Sequence, residues 1–212
     1  MNRSQLLKDY SDTFQHKLYS AIHGGYKSFA AFSQTIAVSY GFRQEIRDKR
    51  LYWYRDFKIL DTDRNPLGKG STAWFVIDLE TRKPQRADRL HYTLPEGFER
   101  MFPARPGKVP RPQPGEPVFS VQAGYRHLDV NQHVNNVKYL QWMLEGLDLT
   151  FHENHNLHTF EVNYLNEGGY GDNVVVIQQP LSELSFLHSL QHAETGTEIC
   201  RAKTVWQPID EA

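Results

Sequence analysis

Seven of the chain's eleven prolines crowd into residues 92–117, namely Pro95, Pro103, Pro106, Pro110, Pro112, Pro114 and Pro117. Proline has no amide proton and a fixed φ, so this density suits neither a helix interior nor a central strand. Only Phe98 to Phe102 leaves room for a helical turn. The segment reads as a stiff, extended linker. It divides the 212 residues into an N-terminal domain over 1–91 and a C-terminal domain over 118–212, each near the size of a small domain.

The C-terminal half carries the clearer pattern. Residues 119–125 predict a short strand. Residues 135–147 predict a helix, with Val137, Leu140, Met143, Leu144 and Leu147 at helical spacing. Four further strands are expected over 159–166, 173–180, 186–193 and 197–207, separated by Asn166-Glu167-Gly168-Gly169 and Glu194-Thr195-Gly196. One helix with about five antiparallel strands suits an α+β sheet curled around that helix.

The N-terminal half closes in the same manner. Residues 35–42 alternate Ile36, Val38, Tyr40 and Phe42, and residues 51–60 and 69–78 predict a hairpin around Asp61-Thr62-Asp63-Arg64-Asn65-Pro66. Its last strand, Lys69-Gly-Ser-Thr-Ala-Trp74, lines up with Arg201-Ala-Lys-Thr-Val-Trp206, which suggests a duplicated fold. The first 34 residues do not repeat. Leu7, Tyr10, Phe14, Leu18 and Ile22 predict a helix ending near Gly24-Gly25.

Composition narrows the function classes. A net charge of −1 argues against a general nucleic-acid binder. No apolar run reaches the roughly 20 residues of a membrane-spanning helix, and the N-terminus lacks a secretory apolar core. Cys200 stands alone, so neither an intramolecular disulfide nor a cysteine-based zinc site is available, and a reducing cytoplasm is the simplest location. The ten histidines form no paired helical motif with a nearby Glu, so no metal and no cofactor is expected.

The densest set of reactive side chains is Arg126-His-Leu-Asp-Val-Asn-Gln-His-Val-Asn-Asn136, between a strand and a helix. Free amides and the helix dipole at such a junction favour developing negative charge, as an oxyanion hole does. Asp129, Asn131 and His133 alternate by two, so an extended segment points all three one way. Plainer roles stand beside these. Asp129 or Asn131 can serve as turn or capping residues, Asn135 can cap the helix, and His133 can be a packed or surface histidine.

The eighteen residues Leu128-Asp-Val-Asn-Gln-His-Val-Asn-Asn-Val-Lys-Tyr-Leu-Gln-Trp-Met-Leu-Glu145 resemble the signature of the plant and bacterial acyl-ACP thioesterases. Further similarity lies in Tyr54-Arg-Asp-Phe-Lys-Ile-Leu60 and Ser71-Thr-Ala-Trp-Phe-Val-Ile-Asp-Leu-Glu-Thr-Arg-Lys-Pro84. The resemblance implies two tandem hotdog domains, the first shortened or remodelled here, and release of fatty acids from acyl carrier protein in fatty acid biosynthesis. It implies Asp129, Asn131, His133 and Glu167 as the catalytic set. Gly168 stands where the plant enzymes carry cysteine, so no thiol nucleophile is available there, and Cys200 reads as a small buried hydrophobe.

On that footing Glu167 with His133 activates water, or Glu167 attacks directly. Asn131 orients the water or carbonyl, and Asp129 holds Asn131 or the loop. The backbone amides of Val134, Asn135 and Asn136 receive the oxyanion. The acidic carrier protein is expected to meet a basic patch drawn from Arg126, Lys138, Arg201 and Lys203. Whether two copies form a homodimer is left open. So are two other activities: an acyl-CoA thioesterase, and a non-catalytic acyl-binding hotdog protein.

Overall fold

The computed structural model describes residues 37–47, 50–60, 63–74, 76–77, 84–85, 102–104 and 106–209. The helix expected over 7–22 lies outside the described residues. The chain separates into two compact units, with the boundary between Gly107 and Lys108.

In the first unit β1 (Ala37–Arg47), β2 (Arg50–Leu60) and β3 (Pro66–Trp74) form an antiparallel meander in chain order. The expected hairpin is the β2–β3 pair, in which Phe57 faces Gly70 and Trp53 faces Trp74. A register shift at Ile59/Leu60 accommodates the Pro66 end, consistent with proline's inability to donate to a ladder. Two short strands, β4 (Val76–Ile77) and β5 (Pro84–Gln85), pair separately. Tyr54, Arg55, Asp56 and Ile59 of β2 are buried.

The second unit holds a five-stranded antiparallel sheet. Its strands are β6 (Pro117–Gln122), β7 (His155–Tyr164), β8 (Asn173–Ser182), β9 (Ser185–His192) and β10 (Glu198–Pro208), in the spatial order β6-β8-β9-β10-β7. One face packs on α1 (Asn136–Leu144) through Val174, Val176, Leu190, Cys200 and Ala202, the alternate residues of three central strands. From the helix come Tyr139, Trp142 and Met143. Burying side chains of this size contributes about 1.5–3 kcal/mol each. This is the curled sheet around a helix that the sequence implies.

The helix stops at Leu144, earlier than its apolar spacing suggests. Gly146 explains why: a Cβ there would stand 2.7 Å from Val118 Cγ2 and 2.9 Å from Gln178 Oε1. The backbone must therefore approach the sheet closely at this point. Asp148 then accepts the Phe151 amide at 2.7 Å and caps a second short helix, α2 (Leu149–Asn154). Phe151 stacks on His155 at 4.3 Å and meets Phe186 and Trp206 edge-on.

The opposite face is crossed by the proline-rich segment. Val109 is buried; its amide donates to Asn163 Oδ1 at 2.7 Å, and its carbonyl accepts from Arg201. Further along, the Gln113 amide donates to Gln179 Oε1 at 2.7 Å. Residues 108–116 thus run from β7 across the sheet toward β6 as a strap. Glu198 is its clasp. This carboxylate is bonded by Arg201, accepts Ser189 Oγ at 2.7 Å, and has Arg111 at 3.9 Å.

Candidate active site

Strand order creates the site. β7 is an edge strand and β8 lies beside the opposite edge, so the connection between them must cross the end of the sheet. It begins with the Leu165 and Asn166 amides on the Ile199 carbonyl. It ends with Gly171 donating to Ala123 and Ala123 donating to Asp172. Midway it passes the start of α1, where the loop leaving β6 also arrives. Glu167 lies in this crossing.

That loop begins as a single 3₁₀ turn, Tyr125–His127, in place of the strand continuation expected to residue 125. His127 Nδ1 accepts the Gly124 amide at 2.9 Å, and its ring meets Trp142 edge-on. Burial, then Lys138 and Arg126, lower its pKa below the usual 6.5, which favours the neutral, accepting imidazole.

Leu128 and Val134 bridge, and between them the chain closes tightly. Asp129 N–H donates to His133 O at 2.8 Å, and Gln132 N–H donates to Asp129 O at 3.0 Å. Gln132 adopts a left-handed φ of 63°. The alternation by two is therefore no extended strand here. Instead Asp129 Oδ1 collects the Asn131 amide at 2.8 Å and the His133 amide at 3.3 Å, the role of a loop-tying Asx residue.

His133 Nδ1 faces Glu167 Oε2 at 3.7 Å, with both side chains about half exposed. The structure thus brings Asp129, His133 and Glu167 together, while Asn131 joins through its main chain and its carboxamide is exposed.

Two of the expected oxyanion amides are already engaged. Val134 N–H donates to Gly168 O and Asn135 N–H to His127 O, each at 2.8 Å. An amide committed to a carbonyl cannot also serve an oxyanion without losing that bond. Asn136, the first helical residue, has no amide partner among the described residues. Asn135 instead caps α1, accepting the Val137 amide at 3.0 Å.

The basic patch also divides. Arg126 is exposed beside the loop, and Lys138 bonds Gln141 Oε1 at 2.9 Å on α1. Arg201 is absorbed by the strap clasp, with Glu198 and Val109 as partners. Lys203 lies on the strap face, paired across the ladder with Glu161. These four cations form no single surface.

Two residues outside the expected catalytic set support the site, Tyr139 from within the signature run and Asp172 from beyond it. Tyr139 Oη accepts the Gly168 amide at 2.8 Å, and Asp172 Oδ2 accepts the Gly169 amide at 2.7 Å. Asp172 also faces His192 Nδ1 at 3.6 Å. A polar cavity of about 380 Å³ opens beside Asp172, His192 and Glu194. Cys200 is fully buried and its thiol pKa is pushed up by burial, then by Glu198, so it is no nucleophile. Among the described residues no three His, Cys, Asp or Glu side chains cluster to hold a metal. No helix among them is long and apolar enough to cross a membrane.

Comparison with known proteins bears on the family and the fold. Residues 117–208 match the acyl-ACP thioesterase C-terminal domain family. The chain is 36% identical over 89 residues to the chloroplastic dodecanoyl-[acyl-carrier-protein] hydrolase of Cinnamomum camphora, covering 40% of this chain and 23% of that one. It is 26% identical over 170 residues to oleoyl-acyl carrier protein thioesterase 1 of Arabidopsis thaliana, covering 66% of this chain and 46% of that one. The chain therefore spans less than half the length of these curated relatives. A crystal structure of an acyl-ACP thioesterase from Bacteroides thetaiotaomicron superposes with a TM-score of 0.66 at 25% identity, covering 81% of this chain and 68% of that one. The 12:0-ACP thioesterase of Umbellularia californica shares the fold, at a TM-score of 0.61 and 16% identity over 85% of this chain and 79% of that one. With its hotdog sheet and its crossing loop, the C-terminal unit is similar over residues 117–208 to the acyl-ACP thioesterase C-terminal domain family.

Proposed function

We propose that this chain hydrolyses fatty acyl-ACP thioesters to a free fatty acid and the carrier thiol, as a step of fatty acid biosynthesis. The observation that carries the reading is the approach of Glu167 to His133 at 3.7 Å, over the start of α1. A carboxylate and an imidazole in this relation can take a proton from attacking water, a contribution of about 10²–10⁴-fold. Water adds to the thioester carbonyl, and the carbon–sulfur bond breaks with the proton passing to the leaving thiolate. The Asn131 carboxamide and the Asn136 amide are the groups left to polarise the carbonyl. Asp129 acts by fixing the loop that presents His133.

The acidic carrier would be steered by Arg126 and Lys138, the two cations on the site's side of the sheet. The names of the relatives support a carrier-protein substrate over coenzyme A. A domain boundary near Gly107 and a reducing, cytoplasmic location complete the reading; the one cysteine, buried and free, is consistent with the latter. Thiol release from matched acyl-ACP and acyl-CoA panels, C12 to C18, is the test. Faster turnover of acyl-ACP is the expected result. Saturable binding without thiol release would instead make the protein a non-catalytic acyl binder.

A further inference from the structure

We propose that Tyr139 is a positioning residue for thioester hydrolysis: its buried hydroxyl holds the Gly168 main chain, and through it aims Glu167 at His133. The inference rests on the reading of Glu167 and His133 as the reacting pair. Glu167 has an exposed carboxylate whose one close partner among the described residues is His133, so its direction depends on its backbone. That backbone is pinned at the next residue from both sides. Gly168 N–H donates to Tyr139 Oη and Gly168 C=O accepts from Val134, each at 2.8 Å. Val134 directly follows His133. One glycine therefore ties the chain segments that carry the two members of the pair.

Tyr139 is suited to the task by rigidity. It is 2% exposed, lies in a helix whose first turn is capped by Asn135, and packs its ring against Trp142 at 5.9 Å between centroids. A purely apolar role would be met equally by phenylalanine, whereas a buried hydroxyl is costly unless bonded. Its partner is the Gly168 amide. The hydroxyl also fills the space at that glycine, since a Cβ on Gly168 would lie 3.1 Å from it. Burial pushes the phenol up to about 12, against the opposing pull of the Gly168 hydrogen bond, so it stays a neutral hydroxyl throughout the working pH range.

The test is Tyr139→Phe, which keeps the ring and deletes the acceptor, assayed on acyl-ACP in parallel with Glu167→Gln. A loss in kcat of about tenfold with KM within about twofold is expected, since a misplacement near 1 Å carries penalties of this order or more. The pH dependence of kcat should shift as well, because the carboxylate is no longer held beside the imidazole. Hydrogen exchange in the parent enzyme gives a second readout that needs no variant to fold: the Gly168 amide should be protected like a core amide. Parental kcat and pH profile in Tyr139→Phe, with only a lowered melting temperature, would overturn the proposal and leave Tyr139 a packing residue. So would rapid exchange at Gly168. Full activity in Glu167→Gln is a distinct failure, since it removes the reacting pair and the proposal with it.

Discussion

On one face of the C-terminal sheet, α1 is held mainly by apolar packing, with Trp142 and Met143 against Val174, Val176 and Leu190 and the Tyr139 hydroxyl on the Gly168 amide. On the other face, the strap over 108–116 is held by a buried carboxylate, two arginines and side-chain amides. Beyond that hydroxyl, the described hydrogen bonds of the helix to its surroundings lie at its ends. Its N-terminal end is therefore free to receive the loop from β6 and the crossing from β7, and all the candidate chemistry gathers there. The strap spends its polar groups on attachment. Turnover should therefore depend on the helix side, and stability should respond most sharply to the clasp.

The largest effect expected is on the helix side. Glu167→Gln and His133→Ala should each lower kcat by about 10²–10⁴-fold while leaving the melting temperature within a few degrees, as both side chains are half exposed. If both variants release thiol at the parental rate, the division of labour between the faces collapses. Glu198→Ala tests the converse. It strands Arg201, which is mostly buried, and should cost about 3 kcal/mol of stability in denaturant titration, with kcat per folded molecule unchanged. A matching loss of kcat would show that the strap reaches the chemistry.

A subtler test asks whether every buried polar group on the helix side serves the site. His188 is fully buried, bonds Thr204 Oγ1 at 2.9 Å, and is driven by burial down to about 4 from 6.5. Between those values the unfolded chain holds the extra proton. Its stabilising contribution is thus complete above about pH 6.5 and is lost as pH falls toward 4. Unfolding free energy should decline by roughly 3 kcal/mol over that window, and His188→Gln should flatten the decline without changing kcat at neutral pH. The smallest effect concerns docking. Arg126→Glu with Lys138→Glu should reduce kcat/KM about fivefold at low salt and little at high salt. The same change at Lys203, on the strap face, should do nothing measurable.

The strand pattern of the C-terminal unit was legible because alternation and turn residues act locally: the strands expected from 173, 186 and 197 begin within a residue of those observed. The helix was legible only in part. Its spacing picks out Val137, Leu140 and Met143, yet Tyr139 and Trp142 are buried as well. A helix wrapped by a curved sheet buries more than one stripe, which periodicity alone does not report. The second helix was not read from the sequence, since Leu149–Asn154 is too short to show a period. At the site, residue types announced Asp129 and His133, and the family resemblance added Glu167, but the pairing of His133 with Glu167 depends on a crossing connection set by strand order. The engagement of the Val134 amide follows from that same crossing, as does the role of Gly168 as its anchor, whereas the Asn135 amide is engaged by His127 of the loop leaving β6.

The strap has one consequence that its contacts do not display. Pro110 and Pro114 are exposed, so they contribute little to the docked state directly. Their rings act instead on the denatured ensemble, where they restrict the chain and reduce the entropy forfeited when it settles on the sheet. Replacing each with alanine should remove almost no surface contact yet destabilise the unit by about 0.4–1 kcal/mol per site. The segment that looked in sequence like a spacer is prepared, before folding begins, for the face it will cover.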